Sequence, residues 1–141
     1  MFILLRKEFK VKCPRTIVAL LLLLVIVTNV SGKDLVDAIH AVETGGRIGP
    51  IRGDNDLALG PLQIHRGCWE DANIGGNYSQ CADLEYSKRV FYAYMKRYAT
   101  KKRLGRIPTN EDMARIWNGG PNGYKKKATV AYWTKVRKEM N

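Results

Sequence analysis

Cysteine is scarce in this 141-residue chain, which has only three. Cys13 lies in an N-terminal segment set apart by composition, leaving Cys68 and Cys81. At most one bridge can therefore staple the rest, and an apolar core has to supply most of the stability. Acidic side chains are few as well, 13 against 24 Lys and Arg, for a net charge of +11. Such a chain is drawn to polyanions. No Cys/His spacing of a zinc site occurs, and His40 and His65 have no second ligand at metal spacing, so neither a metal nor another cofactor is expected. There is no arginine-rich or aromatic RNA-binding signature, which leaves nucleic acid only as a nonspecific polyanion. An apolar run of the ~20 residues that span a bilayer is absent too, since Ile17 to Val27 falls well short of it. With no internal repeat and no linker, the remainder reads as one monomeric domain of about a hundred residues, long enough for a single core.

The short apolar run has its own meaning. Arg6-Lys7, Lys10, Lys12 and Arg15 precede it, and Val30-Ser31-Gly32 offers small residues after it. That pattern predicts a secretory signal over residues 1–32, a secreted, extracellular protein, and a mature domain over 33–141 with a net charge of about +7. In an oxidising compartment Cys68 and Cys81 are expected to pair. Asn77-Tyr78-Ser79 is a glycosylation sequon in a glycine-rich loop.

Along the mature region, Leu35, Ala38, Ile39 and Val42 recur at helical spacing between a capping Asp34 and the stop Gly45-Gly46, so a first helix ends at Glu43. Residues 47–59 are rich in Gly, Pro, Asp and Asn, and Gly53-Asp54-Asn55-Asp56 marks a small hairpin or β-turn region. Pro61 suits the first turn of a helix continuing through Ile64 to Ala72. A longer helix is predicted over 82–102, with Leu84, Val90, Phe91, Tyr94, Met95 and Tyr98 as its apolar stripe. Thr109 with Asp112 resembles a capping box for a helix ending at Gly119-Gly120-Pro121, and a last helix from about Ala128 turns Val130, Ala131, Trp133 and Val136 inward. The fold class is mostly α, an α+β arrangement with a small β-hairpin region forming a cleft.

Two carboxyl groups can cut a glycosidic bond, one donating a proton to the leaving oxygen and the other attacking or stabilising the oxocarbenium-like centre. Glu43 fits the donor, because a helix C-terminus and the adjacent core both disfavour its ionised form. Asp54, in a polar turn with backbone amides at hand, fits the partner, and Asp56, two positions on, is its rival. Gln63 offers an amide, Gly60 a close approach for a sugar ring, Asn118 and Gly119 a polar wall, and Tyr124 a ring to stack on. Read plainly, Asn118-Gly119-Gly120-Pro121 is equally a helix stop. Trp69, Tyr132 and Trp133 read as core, and His40 and His65 as solvated or satisfied histidines.

These residues carry a resemblance over nearly all of the mature region. Glu43 on the first helix, an Asp ahead of Gly60-Pro61-Leu62-Gln63-Ile64, Trp69 with Asp71, Tyr94-Met95-Lys96-Arg97-Tyr98, Ala114-Arg115, Asn118-Gly119-Gly120-Pro121 with Gly123, and Tyr132-Trp133 with Lys135-Val136 occur in the order of the invertebrate-type lysozymes, the family that includes destabilase. The resemblance implies a lysozyme-like fold and a muramidase acting on the β-1,4 bonds of the peptidoglycan glycan strand. In it Glu43 is the general acid and Asp54, or failing it Asp56, the second carboxylate. The anionic cell-wall surface would then hold the basic protein. The chain departs from that family in its few cysteines, in the length between Glu43 and Gly60, and in Trp117 where a histidine is usual, which speaks against isopeptidase activity. A non-enzymatic cationic wall-binding protein is the competing reading from another class.

Overall fold

The computed structural model describes residues 32–141; the expected signal segment lies outside them apart from Gly32. Helix α1 (Leu35–Thr44) begins where the Asp34 carboxylate accepts from the Asp37 amide at 2.8 Å. It stops at Gly45, whose φ of 65° lets its N–H turn back to the carbonyls of Ala41 and His40. Its buried face, with Val36, Ala38 and Ile39, packs along the C-terminal helix α6 (Val130–Met140). On α6, Val136 is fully buried, but Val130 and Ala131 are exposed, contrary to the inward face predicted for them. A 3-10 turn over Lys127–Thr129 precedes α6, so Val130 and Ala131 fall in its first, open turn.

The β region is larger than the predicted hairpin. Strands β1 (Arg52–Gly53), β2 (Ala58–Leu59) and β3 (Ile64–His65) form an antiparallel sheet in which Arg52 faces Leu59 and Ala58 faces His65. The expected helix over Pro61 to His65 is not formed, and α2 begins only at Arg66 (Arg66–Ala72). Gly60 explains the difference. It adopts φ 82°, and a Cβ on it would lie 1.7 Å from the Cys81 carbonyl oxygen, so the chain makes a buried tight turn there instead of entering a helix. That closeness also removes Gly60 as a surface for a sugar ring. Gln63, at φ 49°, returns the chain into β3, and its side-chain N–H donates to the carbonyls of Gly60 (2.8 Å) and Ile51 (3.3 Å). The Tyr78 hydroxyl donates to the Ile64 carbonyl (2.6 Å) and fastens the 3-10 turn Tyr78–Ala82 to the sheet.

Helix α3 (Leu84–Tyr98) carries the core stripe with Tyr86, Val90, Phe91, Tyr94 and Met95 buried, against α2 and α5 (Asn110–Gly119). The continuous helix expected to residue 102 is interrupted, because Ala99 leaves helical geometry and Thr100 caps a separate short helix α4 (Lys101–Leu104). The capping box of α5 is present: the Thr109 hydroxyl accepts from the Asp112 amide, and the Asp112 carboxylate accepts from the Thr109 amide (2.8 Å). Asp112 is buried; burial alone would raise its pKa, but the Arg106 guanidinium and the Thr109 donors outweigh burial and hold it below the usual carboxylate range.

The bridge expected between Cys68 and Cys81 is not formed, and both are free thiols. Cys81 is sealed in the core, whereas Cys68 on α2 turns to a cleft. Burial pushes the Cys68 thiol up to about 12, with Cys81 and Asp71 adding to the shift, and that of Cys81 to about 11.

Candidate active site

Glu43 stands in the last turn of α1 and lines a cleft of about 590 Å³. Its neighbour Thr44 is buried, and the Thr44 hydroxyl donates to the Pro61 carbonyl at 3.1 Å, tying the end of α1 to the turn that leads into β3. His40 Nε2 meets the Arg47 carbonyl at 2.8 Å and closes the same junction. The helix that carries Glu43 is thus pinned to the sheet that carries Asp54.

Burial disfavours the ionised form of Glu43 and raises its pKa above the ordinary carboxylate range. Against this, the Tyr132 hydroxyl of α6 donates to Glu43 Oε1 at 2.6 Å, which favours the ionised form; burial prevails. The phenol is itself pushed up by burial and by the facing carboxylate, so it stays a donor. Tyr132 belongs to the site and not to the core alone, contrary to the sequence reading. No local signal links it to Glu43, which lies 89 positions earlier.

Asp54 reaches the same cleft from the β1–β2 turn. Asp54, Asn55 and Asp56 hold successive φ values of 49°, 53° and 69°, a left-handed run that Asp and Asn tolerate better than other non-glycine residues, at about 1 kcal/mol or more each. Strain of this kind persists only where surrounding contacts fix it. Here the Leu57 amide donates to the Asp54 carbonyl (3.1 Å), and Gly53 leaves room for the Gln63 amide, whose Oε1 would be 1.8 Å from a Cβ at position 53. Asp56 is exposed in the same turn and is not part of the cleft wall.

His65, exposed as a solvated histidine would be, also lines the cleft, with Nε2 at 3.3 Å from Asp54 Oδ2. Its place follows from β3: Ile64 points into the core and His65 to the opposite face, an alternation hidden once the segment is read as helix. The far wall comes from Tyr94 on α3 and from Trp117, Asn118 and Gly120 at the end of α5. Trp117 stands edge-on to Phe91 (5.1 Å) and Tyr94 (6.0 Å), giving that wall a rigid aromatic face.

Of the residues predicted for the site, Glu43, Asp54, Gln63 and Asn118 come together around this cleft, while Gly119 and Tyr124 do not line it. Gly119 packs on Thr129, and its carbonyl accepts from Lys126 Nζ (2.6 Å). Tyr124 lies over α4, its hydroxyl donating to the Arg103 carbonyl (3.4 Å) and its ring beneath Lys125. The Gln63 amide N–H is spent on the hairpin carbonyls, so its contribution to the cleft is chiefly to shape it.

Chemically, the cleft opposes a carboxyl that burial keeps protonatable to an exposed carboxylate on a polar turn, with an amide and an aromatic wall alongside. Among the described residues no cluster of side chains suited to a metal ion occurs.

Comparison with known proteins bears on the whole domain. The model of the destabilase family matches residues 33–139. Lysozyme 1 of Crassostrea virginica is 37% identical over 113 residues, which are 78% of this chain and 60% of that longer relative. The lysozyme of Ostrea edulis is 33% identical, with 87% of this chain and 92% of the relative covered. The crystal structure of Tapes japonica lysozyme superposes with a TM-score of 0.64 at 33% identity, covering 74% of this chain and 86% of that one.

Proposed function

The chain belongs to the destabilase family, and its similar relatives there are lysozymes; from that premise we propose that it is a muramidase that hydrolyses the glycan strand of bacterial peptidoglycan. One observation carries this reading: a partly buried Glu43, its pKa raised by burial, and the turn carboxylate of Asp54 line one cleft. Glu43 gives its proton to the glycosidic oxygen as the bond to the anomeric carbon breaks, and Asp54 attacks or stabilises the positive centre left behind. Deprotonated Glu43 then takes a proton from the water that completes hydrolysis, which restores the acid.

Export through the leader read in residues 1–32 delivers the enzyme to bacterial walls, and its surplus of basic side chains holds it there. Lys125, Lys126 and Lys127 form an exposed basic run that adjoins the α5 end of the cleft. The enzyme is expected to clear a turbid suspension of Gram-positive cell walls, with a rate that falls steeply as salt rises through the range where the screening length drops to ~8 Å. Replacing all three lysines with Ser is expected to flatten that salt dependence. Absence of clearing at low salt would count against the muramidase reading, and an unchanged salt profile in the triple variant would remove the lysines from wall binding.

A further inference from the structure

The Tyr132 hydroxyl occupies one of the two oxygens of Glu43, at 2.6 Å from Oε1. A carboxyl group has one transferable proton and two places to hold it. With Oε1 accepting a hydrogen bond from a phenol, a proton there would meet another proton, so it resides on Oε2. We infer that Tyr132 is a positioning residue for Glu43: it keeps the transferable proton on Oε2, the oxygen left free for the cleft, and stabilises the charge that appears on Oε1 when that proton leaves. The inference rests on the muramidase reading for its catalytic consequence but not for its titration.

The Oε2–H bond breaks and a proton passes to the glycosidic oxygen, whose bond to the anomeric carbon breaks with its electron pair going to oxygen. The negative charge then spreads over both oxygens of Glu43. A neutral hydrogen bond at Oε1 thereby becomes a charge-assisted one, stronger in the transition state than in the ground state. Burial shifts Glu43 toward its protonated form, and the Tyr132 hydrogen bond favours the ionised one. The two opposed influences on one group give an acid matched to its task.

The rest of the surroundings do not duplicate this role. From the sheet, Asp54 and His65 face the cleft but engage each other at 3.3 Å. From α2 and α3, Cys68 and Tyr94 are both held in their neutral forms by burial. From α5, the cleft receives only the neutral Trp117, Asn118 and Gly120. On α6 itself Lys135 is exposed and Glu139 pairs with Lys33 at 2.8 Å, while Tyr132 alone bonds Glu43. On α1, His40 is committed to the Arg47 carbonyl, and Arg47 to that of Thr44.

The test is Tyr132→Phe, which keeps the ring and deletes the donor, with Trp133→Phe on the same helix as a packing control. The Glu43 carboxyl is titrated by carbon-13 NMR in each protein, and wall lysis is followed against pH. In Tyr132→Phe the Glu43 titration is expected to move to higher pH, the alkaline limb of lysis to move with it, and the plateau rate to fall about tenfold with KM nearly unchanged. Trp133→Phe should leave the titration in place. A Glu43 titration that does not move in Tyr132→Phe, or that moves equally in Trp133→Phe, would overturn the assignment. Because NMR reads the carboxyl directly, a wild-type protein with no lytic activity would defeat the muramidase reading while the titration still decides the role of Tyr132.

Discussion

Glu43→Gln is expected to reduce wall lysis by 10²–10⁴-fold while leaving the fold intact. The amide keeps the shape of the carboxyl and can still accept from Tyr132, but it has no proton to give to the leaving oxygen. Stability should respond in the opposite direction, and the sign follows from burial. The pKa of Glu43 is raised in the folded protein, so between the unfolded and folded values the native state binds more protons than the unfolded chain. The stability associated with that group is full below the unfolded value, about 4.3, and declines as pH rises through the folded one. Near neutrality the native protein therefore carries the cost of a buried charge that Gln lacks. Thermal melts should place Glu43→Gln above wild type at pH 7, with the gap closing below about pH 4. Lysis retained within a few-fold of wild type would remove Glu43 from the mechanism, and a gap independent of pH would remove its titration from the stability.

Asp54→Asn is the second large effect, an expected loss of turnover on the order of 10²–10³-fold against a few-fold change for Asp56→Asn. Both substitutions suit their backbone, since Asn tolerates the left-handed φ values of 49° and 69° found there, so the turn survives and charge alone is removed. Only Asp54 lines the cleft, with His65 beside it. If Asp54 attacks the anomeric carbon, the product keeps its configuration, as in enzymes whose two carboxyls lie about 5 to 5.5 Å apart when substrate is bound. Kinetics of the two variants on purified glycan strands, with the anomer formed read by proton NMR, separate the possibilities. A large loss confined to Asp56→Asn would reassign the second carboxylate, and no loss in either would leave Glu43 working alone.

How much of this could be read from the chain depended on whether the signal was local. Asp34 and Gly45 bracket α1, Thr109 and Asp112 open α5, and Glu43 stands where those local rules put it. Asp54 was legible for the same reason, as a turn residue among glycine and amides. What failed was decided by contacts between distant segments. Pro61 looks like the start of a helix until Gly60 is seen pressed against the Cys81 carbonyl, and this in turn hid β3 and His65. The α3 stripe gave no warning that Thr100 would cap a new helix. Tyr132 looked like core because its neighbours are core, and only the packing of α6 along α1 brings its hydroxyl to Glu43. Cysteine count and compartment do not fix a pairing, and both Cys68 and Cys81 are free thiols.

The central claim is that Glu43 drives hydrolysis of the glycan strand, and the nature of the chain ends released from purified peptidoglycan tests it most directly. After borohydride reduction and acid hydrolysis, wild-type digests are predicted to contain the alcohol of muramic acid at newly formed reducing ends, with none above background for Glu43→Gln. New ends carried only by glucosamine, anhydro-muramic ends without hydrolysis, or freed peptide amines with intact glycan strands would each contradict it.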